Sequence, residues 1–257
     1  MSTFYVKNNQ IIDNKIEITG DDFYHLKNVL RCKIGEKIDV CDENAIRYKT
    51  KIEKYTDRVA LCYIESIDEN TTEPTINVTL YQGLPKFDKL EMIIQKATEI
   101  GVNNIIPVQM ERSIVKFEEK NIEKKVERWN KICLEASKQS GRQKVPYVHK
   151  VNNFKNIIEN ISKYDIVLLP YENEKSVTIK RALTTLKAQY DCEKSNVSNN
   201  LKNIAVIIGP EGGFSENEID TISEIENVHI VTLGPRILRT ETAGLATLAM
   251  LFYEFEL

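Results

Sequence analysis

Two short apolar runs near the carboxyl end of the chain each stop at a Gly-Pro pair, and this feature constrains the fold most. Residues 204–208 lead into Gly209 and Pro210, and residues 229–233 lead into a second Gly-Pro pair. Short runs rich in β-branched residues are typical of buried strands, and Gly-Pro is a strong turn signal. The pattern therefore predicts two buried strands that end in two loops.

The first loop, residues 209–213, contains three glycines and one proline. Glycine adopts positive φ angles and lets a ligand approach the backbone closely. Ser215 and Glu218 then have the spacing of a capping box, which predicts a helix directly after the loop. The order of strand, glycine loop and helix resembles a nucleotide cradle.

The second loop, residues 234–242, carries Arg236, Arg239 and Glu241. It lies between an apolar strand and an apolar helix predicted for residues 243–252. Charged side chains held at such a junction are candidates for a binding or catalytic role.

The chain has 257 residues, a hydrophobic content of 42% and a net charge of -3. This length fits one large domain or two ordinary ones, and no apolar run reaches the roughly 20 residues of a membrane span. The amino terminus lacks the apolar core of a signal peptide. The five cysteines are odd in number and form no C-x-x-C pair, which indicates neither a disulfide framework nor a zinc site. We therefore expect a cytoplasmic protein that holds no metal and contacts no membrane.

The first seventy or so residues predict short strands and one helical stretch. Several runs alternate apolar with polar residues, and Asp21 or Asp22 can cap a helix that ends before Gly35. This pattern favours a small β-barrel. A polar stretch over residues 68–75 then predicts a domain boundary, and we expect domains at residues 1–72 and 73–257.

Strands alternate with helices in the second part of the chain, which is typical of a mostly parallel sheet covered on both faces. The predicted strands are residues 76–82, 105–108 and 166–169 in addition to the two carboxyl-terminal ones, and the predicted helices are residues 88–101, 121–139 and 177–190. Such sheets bind ligands outside the carboxyl ends of their strands. The two loops and the stretch from Leu169 to Glu172 should therefore converge on one pocket. The sequence of the glycine loop matches neither a P-loop nor a dinucleotide fingerprint, so phosphate is not an obvious ligand.

These motifs together resemble a known family. Ile208-Gly-Pro-Glu-Gly-Gly213 and Leu233-Gly-Pro-Arg-Ile-Leu-Arg-Thr-Glu-Thr242 resemble the signature of the SPOUT superfamily of RNA methyltransferases, and more narrowly the ribosomal RNA small subunit methyltransferase E family. The run from Asp22 to Arg31 resembles the PUA-like barrel of that family. The run from Lys89 to Val102 and the run from Gln139 to Pro146 resemble its middle motifs. The resemblance covers nearly the whole chain.

The resemblance implies a PUA-like β-barrel followed by an α/β methyltransferase domain with a trefoil knot at its carboxyl end. It also implies a homodimer, S-adenosylmethionine as cofactor, and N3 of a uridine in 16S ribosomal RNA of the small subunit as the methylated atom. The residues that it maps onto the cofactor loops are Leu169, Pro170, Ile208, Gly209, Pro210, Glu211, Gly212, Gly213, Leu233, Gly234, Ile237, Leu238, Thr240, Thr242 and Ala243.

Arg239 and Glu241 are the catalytic candidates. The uridine N3 must lose its proton, and the guanidinium of Arg239 can stabilise the negative charge that results. Glu241 can either orient Arg239 or accept the proton, and the sequence leaves both open. A competing interpretation pairs Arg236 and Arg239 with Glu211 and Glu241 as simple ion pairs.

The segment from Arg112 to Lys150 contains eleven Lys or Arg against five Glu, which makes one strip of an acidic chain basic. Part of this strip fits a solvated helix face, and Trp129 has the spacing of a core residue. The candidates for contacts with RNA are Arg31, Lys33, Arg112, Lys116, Lys138, Arg142, Lys144 and Arg236. Two alternatives to an RNA methyltransferase remain open, namely a non-catalytic RNA-binding or ribosome-assembly factor and a nucleotide-dependent enzyme of ordinary doubly wound topology.

Overall fold

The computed structural model describes residues 3–86, 89–115, 119–194 and 203–256. The chain divides into two compact units. The first contains Met1–Glu73 together with Ser137–Val145, and the second contains Pro74–Ala136 and Pro146–Leu257. The return of Ser137–Val145 to the first unit has no signal in the sequence. The predicted roles of the two domains stay predictions.

The first unit is built on one six-stranded sheet in the order β1-β4-β5-β6-β3-β2. Its strands are β1 Thr3–Tyr5, β2 Ile11–Ile12, β3 Lys15–Thr19, β4 Lys37–Cys41, β5 Arg47–Tyr55 and β6 Val59–Asp68. All neighbouring strands are antiparallel except β1 and β4, which are parallel. The expected β-rich domain at the amino end is thus confirmed.

One helical stretch interrupts this sheet. Helix α1 spans Gly20–Tyr24 and continues as one π-helical segment over His25–Val29. The N-cap residue is Thr19, so Asp21 and Asp22 lie in the first turn and neither is the cap that the sequence predicts. Leu26 packs from this stretch into a core with residues such as Phe4, Ile18 and Val40.

The second unit contains one parallel sheet in the order β10-β8-β7-β12-β11-β13, with β9 paired to β8. Its strands are β7 Asn77–Gly83, β8 Asn104–Gln109, β9 Tyr147–Val148, β10 Asn152–Asn153, β11 Ile166–Pro170, β12 Asn203–Ile208 and β13 Val228–Val231. Every pairing is parallel. The parallel sheet predicted from the alternation of strands and helices is confirmed.

The α-helices described after β7 alternate with these strands, and the last of them follows β13. They are α2 Lys89–Ile100, α3 Glu119–Ser140, α4 Phe154–Asn160, α5 Ile179–Lys194, α6 Glu216–Ser223 and α7 Thr240–Glu256. Helix α6 begins with the capping box predicted from Ser215 and Glu218. Residues 195–202, between α5 and β12, lie outside the described residues.

The strand register brings the loop-bearing strand ends together. Ile208 at the end of β12 pairs with Gln82 of β7, and Pro170 at the end of β11 pairs with Val231 of β13. Both faces of the sheet are buried, because residues such as Val206 and Ile207 are fully inaccessible to solvent. The chain therefore presents the glycine loop and the arginine loop at one edge of the sheet.

Trp129 is 3% exposed, which confirms the prediction that it is a core residue. Within the described ranges, no helix is long and apolar enough to cross a bilayer. The trefoil knot implied by the resemblance stays a prediction.

Candidate active site

A cavity of about 370 Å³ lies outside the carboxyl ends of β11 and β12. Its lining residues are Lys89, Pro170, Glu172, Ile208, Gly209, Pro210, Glu211, Gly213, Phe214, Ile237, Leu238, Arg239, Thr240 and Ala243. The volume falls in the range of small-molecule sites, roughly 300 to 1,000 Å³. The glycine loop and the arginine loop thus meet at one cavity, as the sequence predicts.

A smaller cavity of about 110 Å³ adjoins the first. The two share Pro170, Glu172, Ile237, Leu238 and Ala243. The remaining lining residues are Tyr171, Thr232, Leu233, Gly234, Pro235 and Arg236. The shared residues make the two cavities parts of one cleft, with apolar walls and charged side chains at defined points.

The glycine loop approaches its neighbours so closely that side chains have no room. A Cβ on Gly212 would lie 2.9 Å from Cβ of Arg112, and a Cβ on Gly213 would lie 2.7 Å from Oε1 of Glu172. Gly213 also has a φ angle of 68°, which favours glycine. The backbone N–H of Gly213 donates to the carbonyl oxygen of Pro210 at 2.9 Å. These contacts fix the loop as a tight turn.

Thr240 connects the two loops through hydrogen bonds. Its hydroxyl donates to the carbonyl oxygen of Gly209 at 2.6 Å and accepts from Nε2 of Gln82 at 2.8 Å. Gln82 is fully buried, and its Oε1 has no partner among the described residues. The first residue of α7, the glycine loop and the end of β7 are therefore held as one arrangement.

Lys89, the first residue of α2, forms ion pairs with a carboxylate from each loop. Its Nζ lies 3.3 Å from Oε1 of Glu211 and 3.2 Å from Oε2 of Glu241. The side chains of Lys89 and Glu211 are 26% exposed and that of Glu241 is 15% exposed, so solvent screens these pairs only in part. No feature of the sequence singles out Lys89 for this role.

The charge state of Glu211 follows from its partners. Burial raises the pKa of this carboxyl group, but hydrogen bonds from the backbone N–H groups of Lys86 and Glu211 itself and from Lys89 outweigh it and lower the pKa overall. The Lys86 N–H lies 3.0 Å from Oε1. Glu211 is therefore ionised at neutral pH and is a poor proton acceptor.

Arg239 lines the cavity with an exposed guanidinium. Among the described residues it forms no ion pair with Glu211 or Glu241, since both carboxylates contact Lys89. Arg236 is likewise exposed and lines the smaller cavity. The structure thus differs from the interpretation in which these arginines neutralise the two glutamates, and it leaves Arg239 available to a ligand.

Twelve of the fifteen predicted cofactor residues line the cleft. The other three do not: Leu169 is fully buried in the core, Gly212 contacts Arg112, and Thr242 is exposed on α7. The other lining residues are Arg236 and Arg239, which the sequence singled out for other roles, and Lys89, Tyr171, Glu172, Phe214, Thr232 and Pro235. Among them Glu172 has the clearest sequence signal, because it lies three residues after Leu169, where a predicted strand ends.

The predicted RNA contacts of the second unit include Arg112 and Arg236. Arg112 is exposed and its Nη1 donates to the carbonyl oxygen of Gly212 at 3.4 Å, so this cation lies beside the glycine loop. Lys116 lies outside the described residues.

The predicted RNA contacts of the first unit differ in exposure. Arg31, Lys33 and Lys144 are exposed, and Arg31 has a φ angle of 54°. Lys138 forms an ion pair with Asp22 at 3.2 Å, and its side chain is 17% exposed.

Arg142 has a different setting from the exposed phosphate contact that the sequence predicts. Its side chain is 4% exposed, and Nη2 lies 2.6 Å from Oε2 of Glu73. Glu73 also accepts hydrogen bonds from the backbone N–H groups of Gln143 and Lys144. This network favours a structural role for Arg142 in holding Ser137–Val145 against the rest of its unit.

In the part of the chain that the structure describes, no group of three or more His, Cys, Asp or Glu side chains is arranged to hold a metal ion.

The fold and the site define a class. A parallel sheet with a ligand cleft at the carboxyl ends of its strands follows a small β domain in the chain, and the chain matches two families of RNA methyltransferase domains. Residues 71–252 match the RNA methyltransferase domain family, and residues 18–60 match the RNA methyltransferase PUA domain family.

The chain belongs to the ribosomal RNA small subunit methyltransferase E family. It is 37% identical to the Ribosomal RNA small subunit methyltransferase E of Bacillus subtilis, over 93% of this chain and 90% of that protein. It is 31% identical to the protein of that name from Mesomycoplasma hyopneumoniae, over 95% and 96% of the two chains. The crystal structure of the enzyme from Neisseria gonorrhoeae bound to S-adenosyl methionine has a TM-score of 0.78 and 28% identity, with 97% and 96% of the chains covered.

Proposed function

We propose that this protein transfers a methyl group from S-adenosylmethionine to N3 of a uridine in 16S ribosomal RNA of the small subunit. The observation that carries the proposal is the meeting of the glycine loop and the arginine loop at one cleft, with an unpaired guanidinium on its wall. Membership in the family supports the same activity.

The cleft residues fit the proposed cofactor. Pro170, Ile208 and Leu238 provide apolar surface for a base, and the glycine loop brings backbone groups where a Cβ would collide. The carboxylates of Glu172 and Glu211 complement a cation and can accept hydrogen bonds from hydroxyl or ammonium groups. S-adenosylmethionine carries such groups and no phosphate, which agrees with the absence of a P-loop sequence.

When bound, S-adenosylmethionine supplies an electrophilic methyl group on a positively charged sulfur. The chain has to position a uridine in line with that methyl and to stabilise the negative charge on the base after N3 loses its proton. Arg239 is the group that the geometry offers for this charge, because its guanidinium lines the cavity and has no carboxylate partner among the residues that the structure describes. A target base inside a folded RNA must leave its stack to reach it.

Glu241 acts in this scheme as a positioning residue. Its carboxylate contacts Lys89, and Lys89 also contacts Glu211, so the three charges join the start of α7 to the glycine loop. The acceptor of the N3 proton is left to solvent or to a carboxylate of the cleft, and Glu211 is disfavoured because its pKa is lowered.

The proposal also includes the oligomeric state, the cellular location and the residues that contact RNA. The exposed Met250 and Tyr253 of α7 are 39% and 68% accessible, and a second copy of the chain is proposed to cover them as a homodimer. Small ribosomal subunits of the cytoplasm are the proposed substrate, with Arg31, Lys33, Lys144 and Arg236 as exposed cations for phosphate contacts.

The test is methyl transfer to small ribosomal subunits that lack the modification, with isotope-labelled S-adenosylmethionine and mass spectrometry of the RNA nucleosides. We expect labelled 3-methyluridine from one site. Calorimetric titration with S-adenosylmethionine should show binding to the wild type and none to Gly212→Val, since a side chain there collides with Arg112. Folded wild-type protein that binds the subunit but neither binds the cofactor nor labels uridine would favour an assembly factor.

A further inference from the structure

The parallel sheet carries a second cleft at the opposite ends of its strands. This cavity of about 440 Å³ is lined by Asn77, Thr79, Tyr81, Asn104, Ile106, His149, Asn152, Asn160, Lys163, Tyr164 and Asn203. Asn77, Asn104 and Asn203 are the first residues of β7, β8 and β12. At about 3.3 Å per residue, the seven residues of β7 place Asn77 about 20 Å from Gly83 at the other end of the strand.

The cleft forms where one face of β7 changes from polar side chains at the start of the strand to a core side chain near its end. Asn77, Thr79 and Tyr81 alternate along the strand and therefore point to the same face. Tyr81 packs into the core with Ile157 of α4 and with Ile161, which follows that helix. Asn77 lies outside this core and is only partly buried. Five asparagines line the cavity where a covered strand would carry apolar side chains.

The hydrogen bonds inside the cleft involve the amide oxygens of two lining asparagines. Nδ2 of Asn77 donates to Oδ1 of Asn203 at 2.7 Å, and Nε2 of His149 contacts Oδ1 of Asn104 at 2.9 Å. An amide oxygen only accepts, so Asn104 and Asn203 retain their NH₂ groups. In the described part of the chain these NH₂ groups have no other partner. A ligand with several acceptor atoms would satisfy them.

Lys163 is the charged residue of the cleft lining, and the carboxylate of Asp165, outside the lining, accepts from the backbone N–H of Asn203 at 2.8 Å. Lys163 is exposed at its rim, with Nζ 5.2 Å from the ring centre of Tyr164, and the lining includes neither aspartate nor glutamate. Burial lowers the pKa of His149, and the positive charge of Lys163 lowers it further. Lys163 therefore lies close enough for its charge to favour the neutral form of His149, and Lys163 is the cation that the cleft lining offers to an anion.

We propose that this cleft is a second ligand site, separate from the candidate active site, which binds the phosphate of a nucleotide that is either free or part of an RNA strand. Lys163 supplies the charge, and the amide groups of Asn104 and Asn203 supply hydrogen bonds to phosphate, ribose or base edges. The cavity volume lies within the range of sites for molecules of this size.

The test uses the nuclear magnetic resonance signal of His149. The chain has three histidines, so ring-labelled protein gives few signals. Inorganic phosphate, uridine monophosphate and a six-residue oligouridylate are added separately at constant pH, with S-adenosylmethionine present to saturate the other cleft. We expect the His149 signal to move and saturate. Saturation by uridine monophosphate indicates a site for free nucleotides, and saturation by oligouridylate alone indicates a site for RNA.

Three variants make the result specific. Lys163→Gln should weaken binding by about tenfold through loss of a charge-assisted contact. Asn104→Asp keeps an acceptor for His149 but adds a negative charge, and it should abolish binding. Lys155→Gln neutralises a lysine of α4 that is 82% exposed and outside the cleft, and it should change the affinity less than about twofold. A His149 signal that no probe moves, or equal binding by the wild type and Lys163→Gln, would overturn the proposal.

Discussion

Lys89 and Glu241 lie 3.2 Å apart, and the same lysine lies 3.3 Å from Glu211. The start of α2 is therefore joined by charge to both loops of the candidate active site. The carboxylates of both loops pair with a lysine from another helix, and among the described residues neither forms an ion pair with Arg239 on the cavity wall. The roles of the charged residues follow from this relationship.

Removing the lysine should disturb both loops at once. In Lys89→Met, Glu211 and Glu241 lose their shared cation and repel each other, so we expect methyl transfer to fall by about tenfold, which corresponds to about 1.4 kcal/mol. Lys96→Met is a matched control, since Lys96 lies on the same helix and pairs with Glu99 at 2.8 Å on the surface. Steady-state rates of the two variants decide the matter, and similar rates would argue against a role for Lys89 in the site.

Arg239→Ala tests the proposed stabilisation of charge. We expect turnover to fall by about 100-fold or more, as for loss of other groups that stabilise developing charge. Binding of S-adenosylmethionine should stay within about threefold, because the loss falls on the transition state. Arg239→Lys keeps the charge without the planar fork and should recover only part of the rate. Single-turnover kinetics with calorimetry separate the two effects, and unchanged turnover in Arg239→Ala would remove this residue from the mechanism.

Thr240→Val tests the connection between the loops. The hydroxyl of Thr240 donates to Gly209 and accepts from the buried Gln82. Its loss removes the donor to the half-buried Gly209 carbonyl and one of the two acceptors of Gln82 Nε2, which keeps the Gly83 carbonyl at 3.0 Å. We expect a loss of about 2 kcal/mol in the free energy of unfolding and weaker cofactor binding. Thr247→Val is the control, because buried Thr247 donates only to the carbonyl of Ala243 within α7. Urea unfolding should show the larger loss for Thr240→Val.

The sequence predicts the strands and loops of the cleft well because the signals are local. Gly-Pro pairs end strands, a capping box starts α6, and the carboxyl ends of parallel strands fall on one edge. Contacts between residues distant in the chain have no such signal. Lys89 reaches Glu211 and Glu241 only because α2 begins beside both loops, and the sequence does not encode that proximity in any short pattern.

The same limit explains Arg142. A glycine-containing loop rich in cations favours an exposed surface for RNA, yet Glu73 lies almost 70 residues away in the chain and encloses the guanidinium. Burial of a charge is decided by a distant partner, so composition alone does not reveal it. The segment Ser137–Val145 consequently belongs to the first unit, where the sequence placed it in the second domain.

Arg142→Met should therefore act on stability and not on RNA affinity. It leaves Glu73 with a 13% exposed side chain and no cation, and we expect a loss of about 3 kcal/mol in the free energy of unfolding. Lys144→Met should leave stability unchanged and reduce the salt dependence of RNA binding by about one unit of slope. Denaturant unfolding and RNA titrations over a range of salt separate the two roles. An Arg142→Met protein of unchanged stability whose RNA binding has a reduced salt slope would instead support the predicted contact of Arg142 with phosphate.

The hydrogen bonds of Glu174 determine how the stability of the loop beside the smaller cavity depends on pH. Oε1 of Glu174 accepts hydrogen bonds from the hydroxyl of Ser176 at 2.5 Å, the backbone N–H of Val177 at 2.9 Å and the backbone N–H of Ser176 at 2.6 Å. These donors lower the pKa of Glu174 from 4.5 to about 2. The carbonyl oxygen of Val177 in turn accepts from the N–H of Thr232, which lines the smaller cavity.

A depressed pKa stabilises the folded state above the unfolded pKa, and this contribution is lost as the pH falls through the folded value. The stability difference between the wild type and Glu174→Gln should thus be fully present above about pH 5 and vanish as the pH approaches 2. Ser176→Ala removes the largest cause of the shift and so brings the folded pKa closer to the unfolded one, and the stability difference should be smaller and vanish at a higher pH than in the wild type. Ser223→Ala, whose exposed hydroxyl donates to the Asp220 carbonyl, should leave the profile unchanged. The measurement is denaturant unfolding from pH 6 downward, together with the carboxyl signal of Glu174 in nuclear magnetic resonance titrations. A Glu174 titration near pH 4.5 in the wild type would contradict the hydrogen-bonded loop.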